Sequence, residues 1–199
     1  MKQINKYIWG HLKNPNFSIV ERLHINKDIG NHYHNYNYQP KTCKELKELI
    51  DKLIEKRGND ADLNDIDTSK ITDMSYMFKE SYFNGDISEW DVSNVKDMNH
   101  MFFNSKFTEK NGDLSTWDVS KVEDMSYMFC YSEFNGDISE WDVSNVKDME
   151  FMFSKSKFTC ENGDISNWDV SNVKDMKFMF YGSSLEKNPP KWYKLINSL

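Results

Sequence analysis

The sequence FNGDISEWDVSNVKDM occupies residues 83–98 and recurs without change at residues 134–149. Anchored on the closing Asp-Met pair, related copies are separated by 24, 27, 24 and 27 residues. The pairs begin at Asp73, Asp97, Asp124, Asp148 and Asp175. A period of this size is typical of proteins in which each repeat buries its apolar face only by stacking on its neighbours. The repeat therefore predicts a solenoid and disfavours an enzyme.

The alternating spacing marks a duplicated unit of 51 residues, since residues 73–123 match residues 124–174 at 38 of 51 positions. The longer copies carry three extra residues at one place, in FTEKNGD (107–113) and FTCENGD (158–164). Insertions at one corner of a repeat form loops along one edge, which is often the binding edge. The loops are either such an edge or longer turns without a role. A less regular copy beginning at Asp62 brings the number of repeats to five.

A single repeat predicts a strand, a corner and a short helix. The Asn84-Gly85 pair indicates a turn, and residues 86–88 alternate polar and apolar side chains as a half-buried strand does. Ser93 and Asn94 are residue types favoured at helix N-caps, and apolar residues follow them at helical spacing. These apolar residues are Val95, Met98, Met101 and Phe102. We therefore predict an α/β repeat solenoid of five strand–short-helix repeats.

The apolar residues that recur in every copy predict the core. Strands stacked about 4.8 Å apart place identical residues in columns, and repeated apolar columns are typical of a core rather than a cofactor site. One column is Ile87, Leu114, Ile138 and Ile165. A second is Trp90, Trp117, Trp141 and Trp168, and a third is Phe78, Phe102, Phe129, Phe153 and Phe180.

Helical caps are predicted at both ends of the repeats, because open ends would expose core and strand edges. Thr42 and Glu45 have capping-box spacing, and Gly58 is a C-terminal stop. The apolar stripe between them is Leu46, Leu49, Ile50, Leu53 and Ile54. The domain plan is an N-terminal docking arm (1–40), a capping helix (41–60), the repeats (61–181) and a C-terminal cap (182–199).

The repeat pattern D-[IL]-S-x-W-D-V-S-x-V-x-D-M-x-x-M-F, from about residue 62 to residue 180, strongly resembles the BspA-like leucine-rich-repeat family. That family is best known from bacterial surface proteins. The preceding segment PKTCKELKELI (40–50) looks like the one that commonly opens such arrays. The resemblance implies a right-handed, leucine-rich-repeat-like coil with a non-enzymatic binding or structural role. It implies no catalytic or ligand-binding residues.

Residues 1–40 are a different kind of sequence. MKQINKYIWGHLKN (1–14) predicts a short helix that presents apolar residues for docking: Ile4, Tyr7, Ile8 and Trp9. No apolar core of a signal peptide and no lipobox cysteine is recognisable, and no apolar run has membrane-spanning length. The segment around INKDI (25–29) resembles N-terminal segments of proteins encoded by tailed phages. We expect a cytoplasmic or virion-associated protein.

Two groups of residues suggest metal binding, and each has a simpler explanation. His32 and His34 lie on one face of an extended segment, but no third ligand is identifiable nearby. The aspartates that recur in each repeat offer oxygen ligands for calcium, or are satisfied by nearby serines and turn amides. We predict no metal and no cofactor.

The charge and cysteine content limit the classes of partner. The net charge is −7 and the pI is about 5.3, which disfavours nucleic acid and anionic membranes. Cys43, Cys130 and Cys160 occupy unrelated repeat positions, so no disulfide framework is expected.

One set of residues is predicted to face outward. If the segment after each Asp-Met pair is helical, the second residue after the pair points away from the core stripe. These residues are Tyr76, His100, Tyr127, Phe151 and Phe178. Contiguous exposed aromatic residues usually mark an interaction surface. The alternative is that the rings merely shield one another.

These observations favour a non-enzymatic protein–protein interaction or structural module. We expect protein partners in a multi-subunit assembly such as a phage virion, with the N-terminal arm as anchor. One alternative is a bacterial surface adhesin, which requires an export route. A second is a carbohydrate-active or carbohydrate-binding protein, and no repeat departs from the others by a unique carboxylate pair.

Overall fold

The computed structural model describes residues 36–110 and 112–196, and these residues contain two α-helices, α1 (Cys43–Arg57) and α2 (Lys191–Ile196). A single 3-10 turn covers Ile165–Asn167. The rest of the described chain between the helices consists of turns, bends and isolated parallel β-bridges. The predicted α/β solenoid of strand–short-helix repeats is therefore wrong. In the described part of each repeat there is neither an α-helix nor a strand longer than one bridge.

The predicted helices are absent because their backbone enters the left-handed region. In the first repeat, Tyr76 and Glu80 have φ angles of 59° and 55°, which a right-handed helix does not tolerate. Instead, the Met77 N–H donates to Met74 O at 3.3 Å, closing a four-residue turn around Tyr76. A positive φ at the third residue is the mark of a type II β-turn. The segment after each Asp-Met pair is thus a run of tandem turns.

The backbone after each Asp-Met pair does not form a strand either, because successive N–H groups bond in different directions. The Tyr76 N–H donates to Asn99 O in the next repeat at 3.0 Å, whereas the Met77 N–H stays within its own repeat. The same alternation recurs at every junction between repeats. In the described residues, parallel pairing is therefore limited to single bridges. Two of them join Tyr38 to Ile66 and Asp62 to Asp86, and the others join neighbours in one column of bridged aspartates: Asp73, Asp97, Asp124, Asp148 and Asp175.

Aspartates bend the chain at the remaining corners. The Asp86 Oδ1 accepts the Ser88 N–H at 2.9 Å, and this Asx turn ends the extended backbone directly after its bridge to Asp62. Three aspartates in every repeat make this contact with the residue two positions later. The aspartates serve as turn formers, which is the simpler of the two explanations offered by the sequence.

The core columns are confirmed. The Ile/Leu, Trp and Phe columns are all buried, with no member more than 5% exposed. Phenylalanine rings in adjacent repeats stack along the column, for example Phe102 on Phe129 at a centroid distance of 5.5 Å. The indole Nε1 of Trp141 donates to Leu114 O in the preceding repeat at 2.9 Å. Each repeat therefore completes the core of its neighbours.

The predicted N-terminal capping helix is confirmed as α1. Thr42 Oγ1 accepts the Glu45 N–H at 3.2 Å, and the chain leaves the helix at Gly58, whose φ is 92°. The buried face carries Leu46, Ile50 and Leu53 into the core of the repeats.

The C-terminal segment continues the pattern of the repeats. In α2, the Trp192 Nε1 donates to Ile165 O at 3.0 Å, the same kind of bond that the Trp column makes. The Tyr193 ring meets Phe180 edge-on at 5.0 Å. Neither described helix is long and apolar enough to cross a membrane. The predicted domain boundaries stay predictions, and residues 1–35 lie outside the described residues.

Candidate functional site

The five outward residues form one continuous column of rings, which we call the aromatic ladder. Adjacent rings are separated by 4.8, 4.6, 4.9 and 5.0 Å between centroids. Their planes are tilted by 14° to 26°, so the rings stack face to face. The ladder consists of Tyr76, His100, Tyr127, Phe151 and Phe178.

The ladder residues point outward because of the turns in which they lie, and not because of helical spacing. All five residues occupy the left-handed position of a type II turn, with φ between 54° and 59°. Their neighbours Met74 and Met77 are buried in the first repeat, and the turn directs the residue between them away from the core. A left-handed non-glycine residue costs about 1–2 kcal/mol, and a stacked ring pair contributes about 0.5–1.5 kcal/mol beyond area burial. The stacking thus offsets much of the backbone strain.

Exposure along the ladder is uneven. Tyr76 and Phe178 at its two ends are 46% and 53% exposed, whereas the three rings between them are half-buried. The inner rings cover the faces of one another and leave only their edges outside. The ladder is therefore an apolar ridge of ring edges, and the rings at its two ends are more exposed than those between them.

A second set of rings, which was not predicted from the sequence, lies beside the ladder. Phe103 lies 5.3 Å from the His100 ring and 6.0 Å from the Tyr131 ring, and Tyr181 lies 6.2 Å from Phe178. Tyr131 and Tyr181 are 47% and 49% exposed. We call these three rings and the ladder together the aromatic face. A signal for these residues is present in the sequence, because the two positions after each Met-Phe pair differ between copies that match at most other positions.

Lysines cover part of this face. The Lys155 Nζ lies 5.0 Å from the Tyr131 ring centroid and donates to the hydroxyl of the same tyrosine at 2.8 Å. The Lys79 Nζ lies 5.5 Å from the Tyr76 centroid and 5.4 Å from the Phe103 centroid. These cation–π contacts hold both amines next to the rings.

Before the ladder along the repeats, carboxylates outnumber lysines, and we call the carboxylates nearest the ladder the acidic flank. Burial raises the pKa of Asp97, and the charges of Asp124 and Asp73 act in the same direction. Burial, followed by the adjacent Glu150 carboxylate, raises the pKa of Tyr127. The acidic flank consists of the five bridged aspartates and Glu150.

Four lysines lie after the ladder along the repeats, and we call this side the basic flank. Lys79, Lys106, Lys155 and Lys157 lie here, together with Glu80 and Glu133. Lys106 is paired with Glu133 at 3.1 Å.

His100 adds no charge to the ladder at neutral pH. Burial lowers the pKa of its imidazole, and the nearby ammonium of Lys79 acts in the same direction. With Asn99, Asn104, Ser126 and the rings around it, His100 makes the middle of the aromatic face uncharged.

The other candidate sites show no such arrangement in the described part of the chain. No group of three or more His, Cys, Asp or Glu residues there could hold a metal ion. The three cysteines are unpaired, and burial raises the pKa of the Cys130 thiol to about 11. The N-terminal residues predicted to dock, and the two histidines considered as metal ligands, lie outside the described residues. These are Ile4, Tyr7, Ile8, Trp9, His32 and His34.

A shallow cleft of about 350 Å³ lies beside Trp141 and Trp168. It is lined by four carboxylates, those of Glu140, Asp142, Asp164 and Asp169. Hydrogen bonds from Ser166 and Ser171 lower the pKa values of Asp164 and Asp169. A general acid requires the opposite shift, so these two residues do not provide one.

Comparison with known proteins identifies one family. The family model described as "Mycoplasma protein of unknown function, DUF285" matches residues 44–158 and, in a second alignment, residues 103–195. No curated protein and no solved structure matches the chain. The two alignments together span nearly all of helix α1, all five repeats and most of α2. The chain therefore belongs to the family described as Mycoplasma protein of unknown function, DUF285.

Proposed function

We propose that this chain is a non-enzymatic interaction module that binds a protein partner through its aromatic face. The observation that carries the proposal is the unbroken aromatic ladder, supported by Phe103, Tyr131 and Tyr181. Aromatic residues are enriched and charged residues depleted at the centres of protein interfaces. The middle of the aromatic face has such a composition, because the residues at its surface are Asn, His, Ser, Tyr and Phe.

Ring orientation supports a protein partner over a carbohydrate. A sugar packs on the face of an aromatic ring, and the inner ladder rings have their faces covered by their neighbours. The net charge of −7 supports a protein over nucleic acid or an anionic membrane.

The resemblances noted in the sequence extend the proposal to an assembly. The repeats resemble BspA-like repeats of bacterial surface proteins, and the segment around INKDI (25–29) resembles phage-encoded N-terminal segments. We propose a component of a multi-subunit assembly such as a virion, in which residues 1–40 act as a docking arm. A cytoplasmic or virion-associated location follows from that role.

The test compares proteins that co-purify with the full chain and with the double variant Tyr127→Ala/Phe151→Ala. We expect the variant to lose its partner while keeping its circular dichroism spectrum, because both side chains lie outside the core. Glu140→Ala/Asn167→Ala, at the cleft near Trp141, is the matched control and should keep the partner. A well-folded ladder variant that still holds the same partner would contradict the proposed function.

A further inference from the structure

The two flanks of the aromatic ladder carry opposite charge. Before the ladder lie the five bridged aspartates, Glu123 and Glu150. Lys96, Lys147, Lys174 and Lys177 offset them in part, so this side keeps an excess of three negative charges. After it lie four lysines and two glutamates, Glu80 and Glu133. One edge of the ladder is therefore acidic and the other basic. A surface of this kind is complementary to itself when it is rotated by half a turn about the ladder direction.

The period of the ladder also limits what can cover it. Its rungs are 4.6 to 5.0 Å apart, the spacing set by hydrogen bonds between neighbouring repeats. A partner that packs evenly along the whole ridge must present features at the same period. A second copy of this chain presents that period over the same number of rungs.

We propose that a second copy of this chain docks on the aromatic ladder, with the two ladders parallel and related by a twofold axis along their length. The inference rests on the proposed function, since it names the protein that the aromatic face binds. The axis places the acidic flank of each copy over the basic flank of the other. The apolar ridges then meet at the centre, and the charges surround them as a polar rim.

The fourth repeat gives this arrangement a testable contact. Glu150 and Lys155 lie on opposite sides of Phe151. The Tyr127 N–H donates to Glu150 O at 2.8 Å, and the Lys155 amine lies over the Tyr131 ring and donates to its hydroxyl. In the parallel arrangement, Glu150 of each copy faces Lys155 of the other, so the contact occurs twice. Antiparallel ladders would instead bring Glu150 opposite Asn99, and no charge pair would form.

The experiment measures the mass of the full chain by sedimentation equilibrium over a range of concentrations at low ionic strength. We expect a wild-type dimer. E150K alone and K155E alone should each weaken dimerisation at least about tenfold, because each places like charges together at two contacts. An equimolar mixture of the two variants should form a heterodimer of near wild-type affinity, because both contacts are then complementary. The combined variant E150K/K155E should also dimerise.

Two further variants complete the design. Glu140→Lys makes the same charge change at the cleft near Trp141 and should leave the dimer unchanged. Tyr127→Ala/Phe151→Ala should give a folded monomer, as checked by circular dichroism and thermal unfolding.

The outcomes separate this inference from the proposed function. A wild-type chain that is monomeric at every concentration overturns the self-association. So does a mixture of E150K and K155E that stays monomeric, or single variants that dimerise as the wild type does. If the chain is monomeric and the ladder variant loses a co-purifying protein, the proposed function stands and the self-association does not. If the ladder variant changes neither mass nor partner, both fail.

Discussion

At the residue scale, the repeated aspartates account for turns of the backbone and not for a catalytic or metal-binding role. The five bridged aspartates stand one repeat apart, so like charges are neighbours along the column. Burial raises the pKa values of Asp97 and Asp148, and the charge of Asp124 between them adds to both shifts. A carboxyl group with a raised folded-state pKa lowers stability when it ionises. That loss is present above the folded pKa and is recovered as the pH falls through it.

The central aspartate provides a test of this repulsion. Asp124→Asn keeps an oxygen that can accept the Ser126 N–H, so the Asx turn is preserved while one charge is removed. We expect the pKa values of Asp97 and Asp148 to fall, as followed by NMR titration of their carboxyl carbons. Stability at neutral pH should rise by about 0.5 kcal/mol, the usual size of a cross-strand charge effect.

The matched control for this change is Asp142→Asn, since Asp142 also makes an Asx turn but lies outside the bridged column. It should leave the titration of Asp97 and Asp148 unchanged. Unaltered pKa values in the Asp124 variant would show that the bridged charges do not interact.

At the scale of the structural element, the Trp column shows the effect of the 24/27 alternation. Trp90 and Trp141 donate to carbonyls of the preceding repeat at 3.0 and 2.9 Å. Trp168, which follows a three-residue insertion, has a longer bond of 3.2 Å. Trp117 also follows an insertion, and within the described residues its buried Nε1 has no partner. The indole hydrogen bond is therefore longer or missing in the longer copies.

This difference predicts unequal effects of one substitution at two equivalent sites. Trp117→Phe and Trp141→Phe remove the same atoms from positions that are 4% and 3% exposed. Only the change at Trp141 removes a hydrogen bond, which contributes about 1 kcal/mol. Urea unfolding should therefore show a loss about 1 kcal/mol larger for Trp141→Phe. Equal losses would mean that the indole bond adds nothing to stability.

At the scale of the whole molecule, each described repeat is hydrogen-bonded to its neighbouring repeats in the sequence. In such an arrangement each repeat is stabilised by contacts with its neighbours, and the two end repeats need capping elements. Before the first repeat, α1 places Leu46, Ile50 and Leu53 in the core. After the fifth, Trp192 and Tyr193 pack against it. The two ends are thus stabilised by different elements.

Removal of the C-terminal contact should act locally. Trp192→Ala deletes the bond to Ile165 O and the ring contact with Phe180. We expect faster amide hydrogen exchange in residues 164–181 and little change in residues 62–86, as measured by mass spectrometry. Lys191→Ala, an exposed change in the same helix, is the control and should leave both regions as in the wild type. Uniformly faster exchange would show that the repeats unfold as one unit.

Much of the candidate site was accessible from the sequence. The copies identified the residues of the ladder, and the structure stacks those residues in one column. The reason given for their orientation was wrong, because the helical spacing was assumed and the left-handed turns were not foreseen. Phe103, Tyr131 and Tyr181 were missed, since they lie just outside the position singled out in each repeat.

The sequence by itself determined the register of the repeats, the buried columns and the helix α1, because these depend on spacing, apolar character and local capping. Only the tertiary structure decided the backbone between them. Alternate N–H groups bond to a carbonyl 23 to 26 residues away, as Tyr76 does to Asn99, and a partner so distant leaves no signal in the local pattern. The same inter-repeat bonds set the spacing of the ladder. The sequence repeated at residues 83–98 and 134–149 therefore specifies which residues stack. The hydrogen bonds between neighbouring repeats determine that the backbone carrying them forms turns.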